Sequence, residues 1–107
     1  MVKITIYQNQ NQQFVGFDCL GHAEYSDDND IVCAGVSALV INCINSIESF
    51  TGASFSCDSR EEDGMISFRL NKDFGEDAQL LLKSLILGLQ DMESNYEEYI
   101  DVIFEEV

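Results

Sequence analysis

Residues 21–50, GHAEYSDDNDIVCAGVSALVINCINSIESF, decide the fold because they contain the end of a strand, a polar loop and the start of a long apolar helix. Gly21 ends the strand, and residues 22–29 are polar and acidic, which predicts a surface loop. From Ile31 to about Phe50 the sequence favours a helix, and its first half is apolar on nearly every side. We therefore expect a helix that is packed on several faces and stops at Gly52.

The segments on either side of this helix alternate apolar and polar residues, as half-buried strands do. Residues 2–7 and 14–19 predict two strands joined in a hairpin. Residues 54–58 and 66–70 predict a second hairpin, with REEDG as its turn. A final strand is expected at residues 100–104.

A second helix is predicted from about Glu76 to Tyr96. Its inner stripe consists of apolar residues and one tyrosine: Ala78, Leu82, Leu85, Leu89, Met92 and Tyr96. Leu80 and Leu87 lie on the opposite side, where they form a subunit contact, lie under a loop or are ordinary surface residues. The order β-β-α-β-β-α-β predicts an α+β fold, a mainly antiparallel sheet with two helices, as a single domain over residues 1–107.

The composition limits the setting in which this chain works. Its 107 residues are 46% hydrophobic, so it can bury a core without metal or disulfide staples. The four cysteines include no C-x-x-C pair and there is one histidine, so we expect neither a metal site nor a cofactor. With no basic and apolar leader and no run of 18 apolar residues, we expect no membrane contact and a cytoplasmic location with reduced thiols.

The charge of the chain is strongly unbalanced. Twenty acidic residues against five basic ones give a formal charge of −15, which argues against direct nucleic-acid binding because phosphate contacts supply most of that affinity. An acidic surface either keeps the protein soluble or attracts a basic partner, such as a ribosomal protein.

His22 and Cys33 stand at the junction between strand and helix. Asp30 is a good N-cap, which places Cys33 third in the helix, where unpaired N–H groups and the helix dipole favour a thiolate. His22 is then a candidate general base for a Cys33 nucleophile, although a lone cysteine and a lone histidine are more often structural. Asp30 either caps the helix or also orients His22. Ser37, one turn after Cys33, hydrogen-bonds the sulfur or a backbone carbonyl.

The segment GHAEYSDDNDIVCAGVSALV resembles the ribosomal-processing cysteine proteases of the Prp family, and INSIESFTG, the second hairpin and EDAQLLLKSLILGLQDMESNY extend the similarity over essentially the whole chain. The resemblance implies a homodimeric bacterial cytosolic endopeptidase that removes a short N-terminal extension from a large-subunit ribosomal protein. It also implies that Cys33 is the nucleophile and His22 the general base and acid. Family loops between these two residues usually run one residue longer and contain glycines, which EYSDDND lacks.

Two rival functions remain at this point. A non-catalytic acidic domain would bind a basic ribosomal partner, and its cysteine would barely react with alkylating agents. A thiol-transfer protein would use Cys33, but the missing C-x-x-C arrangement counts against it.

Overall fold

The computed structural model describes residues 1–21, 27–60, 62, 64–72 and 74–107, with only the backbone at residues 27–30. The described residues form five strands and two helices in the predicted order. In sequence they are β1 Val2–Gln8, β2 Phe14–Leu20, α1 Asp27–Phe50, β3 Phe55–Arg60, β4 Met65–Leu70, α2 Glu76–Asn95 and β5 Ile100–Glu106.

The strands form one sheet in the order β3-β4-β2-β1-β5. Both expected hairpins are present, and β2 also pairs antiparallel with β4. Only β5 lies parallel to its neighbour β1. The prediction of an α+β fold with a mainly antiparallel sheet is confirmed.

The core lies between one face of the sheet and the two helices. Alternate strand residues point into it, so Ile4, Ile6, Phe17 and Phe68 are at most 1% exposed. Phe68 stacks on Phe17 at 5.1 Å between ring centroids and meets Phe55 at 5.0 Å. The aromatic cluster therefore joins β2, β4 and β3, an arrangement that adds to the energy of area burial alone.

Helix α2 packs as its periodicity predicts. Ala78, Leu82, Leu85 and Leu89 are buried, while Met92 and Tyr96 are half-buried against the core. Near its first turn, the amide of Gln79 bonds both the backbone N–H and the carbonyl of Phe14, at 2.8 and 2.6 Å. Near its last turn, a Glu93 carboxylate oxygen accepts the N–H of Val102 at 2.6 Å. These bonds fix α2 to both β2 and β5.

Helix α1 begins earlier than the sequence suggested. It starts at Asp27, so residues 27–29 are helical rather than loop, and Asp30 lies inside the helix. The prediction that Asp30 is the N-cap is therefore wrong. Acidic side chains are favourable throughout the first helical turn, and the run DDND has no residue that breaks a helix, which accounts for the earlier start.

The expectation that α1 packs on several faces is also wrong. Val32, Val36, Val40 and Ile47 are buried on one side, but Ile31 is 56% exposed. The helices form a single layer on the sheet, and no described residue covers the outward side of α1. Between residues 31 and 41 that side carries no charged residue, and its exposed apolar residues are Ile31, Ala34, Ala38 and Ile41.

Residues Ile31–Phe50 are long and apolar enough to cross a membrane by length and composition, with a mean hydropathy of 1.7. The core helices of compact domains meet the same criterion, and one face of α1 lies in the core here. The criterion is therefore weak evidence for a membrane span.

Candidate active site

A small cavity lies where β2 ends beneath the first part of α1. Its volume is about 40 Å³. It is lined by residues from both hairpins and from α1: Val2, Cys19, Gly21, Cys33, Val36, Ser37, Gly64 and Ile66. The fold thus gathers at one point the end of β2, the β3–β4 turn and the N-terminal part of α1.

Cys33 is half-buried and contributes a wall of this cavity. Because α1 starts at Asp27, Cys33 is the seventh residue of the helix rather than the third. The unpaired N–H groups of a helix belong to its first four residues, and the dipole effect falls off within the first turn. Cys33 therefore gains less from the helix N-terminus than its predicted position implied.

Two glycines bring the turn and the strand end together at the cavity. Gly64 has φ +65°, a conformation that costs a residue with a Cβ about 1–2 kcal/mol. A Cβ on Gly64 would also overlap the carbonyl oxygen of Gly21. The β3–β4 turn can approach the residue before His22 this closely only because residue 64 is glycine.

The predicted site residues are placed as follows. Ser37 borders the same cavity as Cys33, as its position one turn later implied. His22 lies outside the described residues, and so does the side chain of Asp30. Gly21, the residue before His22, is described and borders the cavity.

The other cysteines have different surroundings. Cys19 and Cys43 are buried, as expected for core residues, and burial raises the pKa of each thiol to about 11. Cys57 is exposed on the edge strand β3, although Phe55, two residues earlier in the strand, is half-buried. None of the four cysteines forms a disulfide bond.

A polar network occupies the opposite face of the sheet and belongs to no cavity with Cys33. Asp18 accepts hydrogen bonds from Tyr7, Ser67 and Arg69, at 2.7, 2.6 and 2.9 Å, and Arg69 also lies over the Tyr7 ring. Burial acts to raise the pKa of Asp18, but hydrogen bonds from Arg69, Ser67 and Tyr7 outweigh it and lower this pKa to about 2. With every partner within the sheet, the network ties β1, β2 and β4 together and is structural.

No metal site is evident in the described part of the chain. Among those residues, no three His, Cys, Asp or Glu side chains are grouped so that they could hold an ion.

The family model for cysteine protease Prp matches residues 1–101. The chain belongs to this family. The ribosomal processing cysteine protease Prp of Bacillus subtilis is 29% identical over 107 residues, covering 95% of this chain and 96% of its own. Like these relatives, the chain is a cysteine protease, and the non-catalytic alternative is set aside.

Solved structures agree with the family assignment. A Prp structure from S. aureus in complex with a substrate peptide is 27% identical with a TM-score of 0.90, covering 98% of this chain and all of the other. A second, in complex with a covalently linked product peptide, is 28% identical with a TM-score of 0.88 over the same shares. The backbone of this chain thus closely matches those of two S. aureus Prp structures that hold peptides.

Sequence reasoning did not place Cys19 or Gly64 at the cavity. Cys19 lies at the end of a predicted strand and Gly64 in a predicted turn, and neither position by itself indicates a site. Cys19 and Gly64 lie beside the same cavity as Cys33 because β2 pairs with β4, which places Cys19 opposite Ile66. The glycine in REEDG was a usable signal for a left-handed turn residue, but nothing local indicated what the turn contacts.

Proposed function

We propose that this protease removes a short N-terminal extension from a large-subunit ribosomal protein, with Cys33 as the nucleophile and His22 as general base and acid. The observation that carries the proposal is that Cys33 and Gly21 border one cavity. His22 follows Gly21 by one peptide bond, so their Cα atoms are about 3.8 Å apart by chain geometry alone. One peptide bond therefore separates the proposed base from a residue that borders the cavity of the thiol.

In the proposed reaction, the Cys33 sulfur attacks the carbonyl carbon of the scissile peptide bond. His22 takes the thiol proton and delivers it to the leaving amine, so the C–N bond breaks and a thioester forms. A water molecule, deprotonated by His22, then hydrolyses the thioester and restores the thiol. The covalently linked product peptide in the S. aureus relative supports a mechanism with a covalent step.

Ser37 and Asp30 have supporting roles in this proposal. Ser37 borders the cavity, so its hydroxyl is available to the Cys33 sulfur or to the substrate backbone. Asp30 lies within α1, which leaves orientation of the imidazole as its proposed role in place of capping. We assign both as positioning residues because neither one takes part in bond formation.

Charge supports a basic protein as the substrate. A formal charge of −15 on 107 residues raises the encounter rate with a cationic protein and opposes contact with bare nucleic acid. The relatives are named ribosomal processing proteases, and ribosomal proteins are typically basic. We place the reaction in the cytoplasm, where reduced thiols persist and ribosomes are assembled.

The proposal includes a homodimer formed through the outward side of the helix layer. Leu80 and Leu87 are 67% and 70% exposed, which removes the alternative that a loop covers them. The outward residues of α1, Ile31 to Ile41, are uncharged. Since two copies with this charge repel each other, a second copy approaches at least cost where charge is absent.

Sedimentation or light scattering tests the dimer. Leu87→Glu should give a monomer, because it buries a carboxylate in an apolar contact. Phe50→Glu changes an equally exposed residue at the end of α1 and should remain dimeric. A wild-type monomer, or a Leu87→Glu dimer as tight as wild type, would exclude this surface.

Cleavage tests the chemistry. The purified protein is incubated with a large-subunit ribosomal protein that carries its N-terminal extension, and the product masses are measured. Cys33→Ala, Cys33→Ser and His22→Ala should abolish cleavage while the circular dichroism spectrum is retained. Cys57→Ala is the matched control, because this exposed thiol lies outside the cavity. Undiminished processing by Cys33→Ala would overturn the assignment.

A further inference from the structure

The cavity is bordered by two thiols, of which the proposed reaction uses one. Cys33 projects from α1, and Cys19 lies on β2 with 6% of its surface exposed. The two thiols are also coupled electrostatically. Burial is the main cause of the raised pKa of Cys19, and the negative charge of Cys33 is the second cause. The second thiol is thus near enough to respond to the charge state of the first.

We propose that Cys33 and Cys19 form an oxidative modification site, in which hydrogen peroxide oxidises Cys33 and Cys19 resolves the product to a reversible disulfide. This inference rests on the proposed function in one respect. If Cys33 is the nucleophile, peptide cleavage is lost while Cys33 is oxidised. The disulfide would protect the nucleophile from irreversible oxidation.

The chemistry proceeds in two balanced steps. The Cys33 thiolate attacks one oxygen of hydrogen peroxide, the O–O bond breaks, and sulfenic acid forms with hydroxide, which takes up a proton to leave as water. The Cys19 sulfur then attacks the Cys33 sulfur, the S–O bond breaks, and a second water leaves with the Cys19 proton. Peroxide is the oxidant that accepts both electrons, and an added dithiol returns the pair to free thiols.

The surroundings of the two cysteines suit different roles. Burial keeps Cys19 protonated near neutral pH, so it is a poor first target for peroxide, whereas Cys33 is half-buried and open to the reagent. The cavity of about 40 Å³ has room for the single added oxygen, since one water occupies about 30 Å³ of liquid. Proximity then compensates for the low thiolate fraction of Cys19.

The remaining cysteines are poorly placed to resolve Cys33. Cys43 is also buried, but its thiol donates to the carbonyl of Leu81 at 3.6 Å, between the two helices. Cys57 is on the edge strand β3 and does not border the cavity. Cys43 therefore serves as a matched control, since burial raises its pKa to the same value as that of Cys19.

The experiment treats reduced wild type, Cys19→Ala and Cys43→Ala with hydrogen peroxide and measures intact mass, disulfide-linked peptides and cleavage before and after dithiothreitol. Wild type and Cys43→Ala should lose about 2 Da, yield a linked Cys19–Cys33 peptide and regain cleavage with dithiothreitol. Cys19→Ala should instead gain about 32 Da at Cys33 and stay inactive after dithiothreitol. Each protein is compared with its own reduced activity.

Failure of this inference and failure of the proposed function give different results. If wild type cleaves the substrate but Cys33 reaches the sulfinic state as fast as in Cys19→Ala, with no linked peptide, the resolving role is overturned and the protease assignment stands. If the linked peptide forms but the reduced protein cleaves nothing, the oxidative pair stands and the proposed function fails. If Cys19→Ala folds poorly, peptide mapping of wild type alone still shows whether the linked Cys19–Cys33 peptide forms, which decides the resolving role.

Discussion

Gly64→Ala tests whether the contact between the β3–β4 turn and the end of β2 shapes the active site. The residue has φ +65°, and the added methyl would meet the Gly21 carbonyl oxygen, which is backbone and cannot rotate away. Gly21 immediately precedes the proposed base His22. The substitution should therefore affect both stability and cleavage.

The expected cost has two parts. Holding alanine in the left-handed region costs about 1–2 kcal/mol, and forcing extra volume into a packed contact costs about 1–3 kcal/mol. The free energy of unfolding should thus fall by about 2–5 kcal/mol, which for a chain of this size lowers Tm by at least about 10 °C. A displacement of Gly21 by about 1 Å should lower kcat/KM by about 100-fold.

For three variants of the protease, we would measure the Tm of the variant and the rate at which it cleaves the extended ribosomal protein. Gly52→Ala is the control, because a Cβ there meets nothing within 4 Å, and it should behave as wild type. Gly64→Asn separates the two parts of the cost, since asparagine tolerates positive φ but carries the same Cβ. If Gly64→Ala unfolds within about 2 °C of wild type and cleaves at an unchanged rate, the contact does not constrain the site.

Two further substitutions test the core and the polar network by chemical denaturation. Phe68→Ala should cost about 3–5 kcal/mol because its ring is buried between two other phenylalanines, whereas Phe50→Ala, at a residue that is 78% exposed, should cost less than about 0.5 kcal/mol. Asp18→Asn should cost about 1–2 kcal/mol at pH 7, less than the pKa shift implies because Arg69 is 41% exposed. Since folding lowers the pKa of Asp18 from 3.8 to about 2, wild type should lose this contribution as pH falls through that interval and not above it.

The order of the elements was predictable because each pattern is local. Alternation in residues 2–7 and 66–70 gave strands, and the 3.6-residue spacing of Ala78, Leu82, Leu85 and Leu89 gave the buried stripe of α2. Short turns joined the strands into hairpins. The pairing of β2 with β4, and of β1 with β5 in parallel, joins segments far apart in sequence, and no local pattern indicates it.

The errors concern helix α1, and both have physical causes. Asp30 is a good N-cap by residue type, but the run DDND is equally suited to a first helical turn. The residue types therefore did not determine where α1 begins, and the helix starts at Asp27. Apolar residues all around the first half of α1 predicted burial on several faces. A single chain offers only one sheet to pack against, so Ile31 and Ile41 remain 56% and 49% exposed.

The earlier start of α1 changes how the Cys33 sulfur would become anionic. A helix N-terminus is equivalent to about half a positive charge, whereas the sequence puts three carboxylates, Asp27, Asp28 and Asp30, into the first turn. Negative charge near a sulfur disfavours the thiolate form. In the proposed mechanism, the helix start therefore contributes little to activation of the thiol, and we assign most of it to the imidazole of His22. For this reason, loss of His22 should cost about as much activity as loss of Cys33 itself.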